Sequence, residues 1–288
     1  MHVPFDAMTG TSEIGRRQQG RLSGRMRLDA LLAQRGLFES RSKAAASVMA
    51  GSVLVGDGSV PATKPGTLVA PDVPVSVKDR PRYVSRGGEK LANALERLAV
   101  PVEGRRCLDA GASTGGFTDC LLQAGAEHVV AVDVAYGQLH WSLRRDSRVT
   151  VIERCNVREL DPAKLPYRPE LIVADLSFIG LAKALPSIVA CAGKQFDLLG
   201  LVKPQFEVGR ERVGKGGVVR DATDRLEALM SVGEAAQRLD LAVLGYCRSG
   251  LAGPAGNHES FIWCSEASRD GVADLCEAAR VAEPEASK

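Results

Sequence analysis

The segment CLDAGASTGGFTDCLL (107–122) holds the most distinctive group of residues in this 288-residue sequence. An apolar run that is typical of a β-strand ends at Asp109, and the turn after it contains Gly111, Gly115 and Gly116 before a helical pattern begins. Glycines at such a turn allow the backbone to approach a ligand closely. Their spacing differs from the G-x-G-x-x-G of dinucleotide-binding loops, so we expect the loop to hold an amino-acid tail and a ribose, not a pyrophosphate.

A carboxylate at the end of the next strand-like run makes the prediction of the ligand more specific. Asp133 closes the next strand-like run, where a carboxylate can accept both hydroxyls of a ribose. Glycines occur in many strand–turn–helix connections, so it is the combination with Asp133 that predicts S-adenosyl-L-methionine as the cofactor. The expected cofactor-binding residues are Asp109, Gly111, Ser113, Gly115, Gly116, Phe117, Asp133 and Asp175.

Two lysines and two carboxylates stand where the predicted elements begin or end. Asp175 and Lys203 end strand-like runs, Glu259 precedes the last one, and Lys90 opens a helical pattern. Each alone could be a solvated surface residue or a turn former. Because parallel strands present their carboxyl ends at one edge of a sheet, the four could converge next to the cofactor's methyl group.

Strand-like and helix-like runs alternate from residue 105 onward. This alternation indicates a mainly parallel sheet that is covered by helices on both faces. Seven strands, with the last two close together in sequence, are typical of the Rossmann-like fold of class I methyltransferases. The strand-like runs are CLDAG, HVVAVDV, VTVIE, LIVAD, DLLGLVK, LAVLGYC and SFIWC.

A smaller α+β unit is predicted ahead of this domain. Two helical patterns are followed by short strands that are separated by prolines, and Ser40 is placed to cap the second helix. The stretch resembles the small RNA-binding domain of a small-subunit ribosomal protein, which also precedes pseudouridine synthases. The residues that carry this resemblance are Arg27, Asp29, Leu32, Gly36, Ser40, Arg41, Ala44, Gly51, Val53 and Val55. The sequence Gly56-Asp57-Gly58 departs from the Asn-Gly turn that is usual there, which affects only turn chemistry.

The expected organisation therefore has four parts. Residues 1–25 form a polar, disordered extension, 26–78 the small RNA-binding domain, 79–88 a linker and 89–282 the catalytic domain. Residues 1–90 contain 14 Lys and Arg against 8 Asp and Glu, whereas the remainder contains 23 against 27. A basic head on a mildly acidic body favours a polyanionic partner, although a solvated charged surface is the alternative.

The motifs YVSRGGEKL, LDAGASTGGFTD, VDVAYGQL, ADLSFI, LVKPQFEVGR and GPAGNHE resemble those of the TlyA family, a branch of the FtsJ-like ribose methyltransferases. The resemblance extends from Met26 to Trp263. It implies 2′-O-methylation of ribose, with cytidine as the precedent, in 16S or 23S ribosomal RNA or both. It also implies a catalytic tetrad of Lys90, Asp175, Lys203 and Glu259. Ser260 stands where the family often has Phe or another apolar residue, a difference that we expect to affect packing alone.

The chemistry requires a ribose hydroxyl to lose or share its proton while it attacks in line, so positioning supplies much of the acceleration. A lysine can accept such a proton only when burial or a neighbouring cation favours its neutral form. We expect Lys203 to orient or deprotonate the hydroxyl, Asp175 to hold Lys203, and Lys90 with Glu259 to fix the ribose. The sequence leaves open which of the four takes the proton.

Basic residues outside the tetrad are candidates for contact with RNA phosphates, and the flexible, glycine-containing run FEVGRERVGKGG (206–217) is the most distinctive group among them. For each arginine the alternative is simple solvation. The candidates are Arg27, Arg41, Lys43, Arg82, Arg86, Arg154, Arg158, Arg210, Arg212 and Lys215.

Several other functions are disfavoured. A pseudouridine synthase would not need the loop at 107–122, and the intact tetrad disfavours a non-catalytic RNA-binding protein. A pore-forming hemolysin would need a secretory or membrane-inserting segment, and none is evident. Seven scattered cysteines without a C-x-x-C pair indicate reduced thiols in a cytoplasmic protein with no metal site. The partners are therefore expected to be ribosomal RNA or ribosomal subunits, with the target nucleotide and the oligomeric state left open.

Overall fold

The computed structural model of the chain describes residues 24–56, 60–77 and 82–284. The chain divides into two compact units, Met1–Arg80 and Pro81–Lys288. Most of the expected extension (1–25), most of the turn at 56–58 and the first residues of the expected linker lie outside the described residues.

The first unit contains two helices and short antiparallel strands. Leu28, Leu31 and Leu32 recur at helical spacing, and they form a buried core together with Ala44 and Val48. The second helix begins after Ser40, whose hydroxyl accepts a hydrogen bond from the Lys43 backbone N–H (3.2 Å). The elements are β1 (Met26–Arg27), α1 (Leu28–Gln34), α2 (Arg41–Met49), β2 (Val53–Val55), β3 (Val60–Pro61), β4 (Leu68–Val69) and β5 (Val75–Val77). β1 pairs with β4, and β2 lies between β3 and β5.

The second unit is built on one seven-stranded sheet with the strand order β11-β12-β10-β9-β6-β7-β8. Its strands are β6 (Arg106–Ala110), β7 (His128–Val132), β8 (Val149–Ile152), β9 (Leu171–Ala174), β10 (Asp197–Val202), β11 (Leu241–Arg248) and β12 (Ser260–Glu266). Its helices are α3 (Arg86–Arg97), α4 (Gly116–Gln123), α5 (Trp141–Arg144), α6 (Leu181–Cys191), α7 (Pro204–Glu207), α8 (Ala222–Gln237) and α9 (Leu275–Arg280). Short 3-10 turns occur at Val157–Glu159, Pro162–Lys164 and Arg210–Arg212.

The central strands are apolar along their whole length because both faces of the sheet are covered. Alternate residues enter different cores: Ile172 packs in a core with helices α6, α8 and α9, whereas its neighbour Val173 packs in a core with α3 and α4. The prediction of a seven-stranded, mainly parallel Rossmann-like sheet that follows a small α+β unit in sequence is therefore confirmed.

The last strand runs against the others. β12 pairs antiparallel with both β10 and β11, and Ser260 at its start lies opposite Val202 at the end of β10. β9 and β10 are parallel, with Gly200 opposite Ala174. The amino end of β12 therefore lies beside the carboxyl ends of β9 and β10.

The expected linker at 79–88 is wrong at its carboxyl end. Helix α3 begins at Arg86, and Tyr83 before it is buried. A Cβ atom on Gly88 would collide with the Tyr83 ring, so this glycine permits close packing and does not interrupt the helix. Val84 donates its N–H to Asp119 of α4 (2.8 Å), which ties residues 82–88 to the second unit.

The carboxyl-terminal segment is anchored by an ion pair in the interior. Glu283, with a side chain that is 1% exposed, accepts from Arg225 Nε (3.0 Å) on α8 and lies 3.7 Å from Arg248 Nη2 on β11. Removal of one partner of such a pair leaves the other charge buried and uncompensated.

We therefore expect Glu283→Gln to lower the free energy of unfolding of the second unit by about 3 kcal/mol, measured by urea denaturation. Glu234→Gln is the matched control, because Glu234 and Arg238 form an exposed pair at the surface of α8. That variant should lose less than about 1 kcal/mol. Equal losses in the two variants would contradict an anchoring role for Glu283.

Candidate active site at the carboxyl ends of the central strands

A cavity of about 250 Å³ opens at the carboxyl ends of β6, β9 and β10. The first turns of α3 and α4 and the loop before β12 complete its wall. The lining residues are Ser85, Arg86, Gly87, Lys90, Gly111, Ala112, Ser113, Thr114, Gly116, Phe117, Asp175, Ser177, Lys203, Pro254 and Glu259. All four residues of the expected tetrad line the same cavity.

The glycine loop forms one wall, and its glycines are there because the backbone passes close to other elements. Gly111 has φ +89°, and a Cβ on it would lie 2.5 Å from the carbonyl oxygen of Asp175. A Cβ on Gly116 would collide with Ser85 Oγ at the start of α3. A side chain at either position would therefore force the loop away from Asp175 or Ser85.

Asp133 holds the loop from its other side. One carboxylate oxygen accepts the Ser113 N–H (2.7 Å) and the other accepts the Ala135 N–H (2.7 Å). Each oxygen keeps a second lone pair, and the side chain is only partly buried. Asp133 is not part of the cavity wall described above, so a ligand that it binds must extend along the loop beyond Ser113.

Besides Asp133, two other expected cofactor-binding residues do not line the cavity. The prediction of direct contact is wrong for Asp109, because its side chain is fully buried beneath the loop and accepts the Thr118 hydroxyl (2.6 Å). Gly115 also faces inward: with φ +96° it begins α4, and a Cβ on it would collide with Leu143. Both residues support the conformation of the glycine loop from the protein interior.

Two ion pairs face the cavity. Lys203 Nζ lies 2.5 Å from Asp175 Oδ1 and donates to Ser177 Oγ (3.0 Å). Lys90 Nζ lies 2.5 Å from Glu259 Oε2, and these two side chains are 8% and 1% exposed. The register of β9, β10 and β12 produces the first pair and brings Glu259 alongside, while the packing of α3 on α4 contributes Lys90.

All three candidate RNA-binding residues of the first unit have acidic neighbours. Arg27 makes two hydrogen bonds to Asp29, and Arg41 lies 3.6 Å from the same carboxylate. Lys43 pairs with Glu39. Arg41 and Lys43 nevertheless remain more than half exposed, so both can reach a phosphate.

The candidate RNA-binding arginines of the second unit differ in their surroundings. Arg82 lies over the Tyr83 ring and Arg154 over the Tyr136 ring, whereas Arg86 lines the cavity and Arg158 is exposed. Each of these guanidinium groups lies at the surface of the unit.

The run at 206–217 is more ordered than expected. It contains the end of α7, a 3-10 turn at Arg210–Arg212 and a bridge between Gly214 and Val218. Arg212 pairs with Asp224 (3.1 Å) and with Glu227 on α8, so its charge is largely compensated. The run therefore has more regular structure than the sequence indicated, and RNA contact by Arg210, Arg212 and Lys215 stays a prediction.

Three residues that matter for this geometry escaped the sequence analysis. Ser177 contacts Lys203, and it stands two positions after Asp175. Glu207 accepts the Leu181 N–H (2.5 Å) at the start of α6, and burial raises the pKa of its carboxyl. Asn257 is 1% exposed and stands two positions before Glu259. The only indication in the sequence was their position within the motifs ADLSFI, LVKPQFEVGR and GPAGNHE.

Within the part of the chain that the structure describes, no group of three or more potential metal ligands occurs, and no helix is long and apolar enough to cross a bilayer. The seven cysteines are free.

Comparison with known proteins identifies the family. Residues 83–266 match the FtsJ-like methyltransferase family, and residues 26–73 match the S4 domain. A 16S/23S rRNA (cytidine-2′-O)-methyltransferase TlyA from Mycobacterium tuberculosis is 52% identical over 244 residues, which cover 84% of this chain and 90% of that protein. The chain belongs to the TlyA family of FtsJ-like methyltransferases.

Other members of the TlyA family support the same placement. A 23S rRNA (cytidine-2′-O)-methyltransferase TlyA from Campylobacter jejuni is 38% identical over 182 residues, which cover 63% of this chain and 70% of that protein. A solved structure from Streptococcus thermophilus, described as a hemolysin, superposes with a TM-score of 0.69 at 36% identity. That alignment covers 91% of this chain and 97% of the other.

The position of Asp109 gives a prediction for stability. Burial raises the pKa of its carboxyl to about 7, Asp175 and Asp133 add to the rise, and the Thr118 hydrogen bond opposes it. A folded-state pKa above the ordinary value of 3.8 means that folding favours the neutral form. The contribution is then fully present below about pH 4 and declines as the pH rises to about 7.

We expect the free energy of unfolding to fall across this window by on the order of 1.4 kcal/mol per pH unit from Asp109 alone. Asp109→Asn removes the titrating group, so the difference between wild type and variant should shrink or reverse between pH 4 and pH 7. Denaturant titrations at several pH values measure it. Parallel curves over this range would show that folding leaves the ionisation of Asp109 unchanged.

Proposed function

We propose that this protein uses S-adenosyl-L-methionine to methylate the ribose 2′-hydroxyl of cytidine in 16S or 23S ribosomal RNA, or in both. Membership of the TlyA family supports the reaction class. The observation that carries the proposal is the meeting of Lys90, Asp175, Lys203 and Glu259 at one cavity walled by the glycine loop. In this arrangement an acceptor hydroxyl and a nucleoside cofactor can share one site.

The residues of the loop fit the expected cofactor. Gly111 and Gly116 let the loop backbone pack closely against Asp175 and Ser85 while it lines the cavity, and Asp133 keeps acceptor capacity at the loop edge. Gly111, Ser113, Gly116 and Asp133 would hold the molecule, with Phe117 packing beneath. When bound, S-adenosyl-L-methionine supplies an electrophilic methyl group on a sulfonium.

The Lys203–Asp175 pair is the group in this cavity that we assign to the acceptor hydroxyl. Methylation of a hydroxyl releases one proton, and Nζ of Lys203 lies where it can orient the hydroxyl or receive that proton. Ser177 accepts a hydrogen bond from Nζ and the charge of Asp175 lies beside it, so these two side chains hold the ammonium group at the cavity. In this proposal the pair positions the nucleophile, which is the larger part of the requirement for an in-line attack.

The Lys90–Glu259 pair is assigned to the ribose itself. Both side chains are almost completely buried, so they form a rigid part of the cavity wall. Water has little access to compete for their hydrogen bonds. A carboxylate accepts from a sugar hydroxyl and an ammonium donates to a sugar oxygen, so this pair can bind either group. Its function is then to orient the sugar, and the transfer of the proton stays with Lys203 and Asp175.

RNA recognition is assigned mainly to the first unit, residues 26–78, with the second unit carrying the chemistry. An S4 domain and the net positive charge of residues 1–90 support this division. Phosphate contacts by lysine and arginine supply sequence-independent affinity, which weakens as salt rises. Ribosomal RNA inside the cell is the expected partner.

The role of Lys203 gives the first functional prediction. Lys203→Ala should abolish methyl transfer to ribosomal RNA, while the dissociation constant for S-adenosyl-L-methionine in calorimetry changes by less than about fivefold, within 1 kcal/mol. Lys194→Ala is the matched control. Lys194 is exposed and precedes the amino end of β10, whereas Lys203 follows its carboxyl end. The control should keep full activity. Loss of cofactor binding in a folded Lys203→Ala protein would contradict the assignment.

The role of the first unit gives the second. Arg41→Glu with Lys43→Glu should weaken RNA binding and reduce the magnitude of the slope of log K against log salt by about 1.5 to 2, because two phosphate contacts are lost. Cofactor affinity should stay unchanged. Binding can be followed by filter retention at several salt concentrations. An unaltered slope would show that α2 does not contact phosphates.

A further inference from the structure

The side chain of Asn257 connects the loop before β12 to the segment that follows Lys203. Its Oδ1 accepts the Val219 N–H (2.9 Å), and its Nδ2 donates to the Gly217 carbonyl (2.7 Å). Gly217 and Val219 lie on either side of Val218, which closes a hairpin by bridging to Gly214. We call residues 209–218 the basic hairpin. Its closing end is therefore held by one buried amide.

The same residue shapes the surroundings of Glu259. The carbonyl of Asn257 accepts the Gly253 N–H (2.9 Å), which closes a turn over residues 253–257. A Cβ on Gly253 would collide with Glu259 Oε1, so this turn passes directly over the carboxylate. Pro254 in the turn lines the cavity. The backbone of Asn257 thus bonds to the turn that lines the active site, and its side chain bonds to the closing end of the basic hairpin.

The basic hairpin offers two cations to solvent. Arg210 and Lys215 are exposed, and neither makes an ion pair with a described residue. Arg212 instead attaches the hairpin to Asp224 and Glu227 near α8. The hairpin is accordingly fixed at two points, by Arg212 on one side and by Asn257 on the other. Arg210 and Lys215 remain for a polyanion, beside the exposed Glu211 of the same hairpin.

We propose that Asn257 is a positioning residue that locks the basic hairpin to the turn around Glu259, so that RNA held by Arg210 and Lys215 is presented in register with the Lys90–Glu259 pair. The role of RNA in this inference rests on the proposed function. Asn257 itself touches neither substrate nor cofactor. Its effect is on the placement of the hairpin and the carboxylate relative to each other.

The chemistry of the amide is specific. The position needs an acceptor for Val219 N–H and a donor for Gly217 C=O at the same time, and an amide supplies both. An ionised carboxylate of the same shape accepts from Val219 but opposes the Gly217 carbonyl, and it is buried without a cation. A protonated carboxyl group restores the donor. Asn257→Asp should therefore have a defect that depends on pH.

The experiment compares wild type with Asn257→Asp from pH 5.5 to pH 8.5, with S-adenosyl-L-methionine and ribosomal RNA. At pH 8 we expect kcat/KM for RNA to fall about tenfold or more, because a buried donor–acceptor contact is lost. The dissociation constant of the cofactor should stay within about twofold, since Asn257 is remote from the glycine loop in the contacts described. As the pH falls, the ratio of variant to wild-type activity should rise towards one.

The ratio to wild type removes the pH dependence that is common to the assay of both proteins. Asn156→Asp is the matched control, because the Asn156 side chain only accepts, from the Arg158 N–H (3.1 Å), and aspartate can do the same. Its ratio should stay near one at every pH. Asn257→Ala, which lacks both groups, should show the defect without recovery at low pH.

Wild-type kcat/KM in Asn257→Asp at pH 8, or a deficit that is the same at every pH, would overturn the proposal. If wild-type protein does not methylate RNA, the proposed function fails, and the positioning role is still decided by hydrogen exchange. The Val219 amide should then exchange faster in Asn257→Asp than in wild type at pH 8, and the difference should narrow at pH 5.5. Equal exchange at both pH values would overturn the role of Asn257 independently of any activity.

Discussion

The antiparallel pairing of β12 with β10 is the constraint on which the site depends. Were β12 parallel to its neighbours, Glu259 would lie at the opposite edge of the sheet from Lys203. Because Ser260 instead lies opposite Val202, the residues next to them in sequence meet at one edge. The parallel register of β9 with β10 brings Asp175 to the same edge. Three of the four charged side chains are therefore placed by backbone hydrogen bonds, and only Lys90 depends on helix packing.

Pairing of the four charges explains why they can be held next to apolar strands. A lone lysine or carboxylate at these depths would lose much of its hydration without compensation. Two ion pairs have no net charge, yet pairs of this kind add little net stability, because desolvation offsets much of the attraction. What the arrangement provides is position: each ammonium group is held beside a carboxylate at the wall of the cavity.

Much of the fold was predictable because the strands of the second unit are short apolar runs that alternate with helical patterns, and the seven predicted strands are those observed. Local patterns were less informative about side-chain direction. Asp109 lies inside β6 opposite Val173, two positions deeper in the sheet than Asp175, and its carboxylate accepts from Thr118 of α4. The pairing of residues that are distant in the chain could not be predicted from local patterns either. Lys90 and Glu259 are separated by 169 positions, and the acids that compensate the charge of Arg212 lie on a later helix.

The order of the strands also has a consequence for synthesis on the ribosome. β11 leaves the ribosome before β12, but its neighbour in the sheet is β12, which also separates it from β10. A growing chain therefore carries β11 without a strand to pair with, and it lacks Glu259, until the final strand emerges. Since domains form from the amino terminus onward during translation, the first unit can fold long before the second is complete. A nascent chain of this protein can thus acquire its small α+β unit early, while its four-residue charged cluster is assembled only after nearly all of the polypeptide has been made.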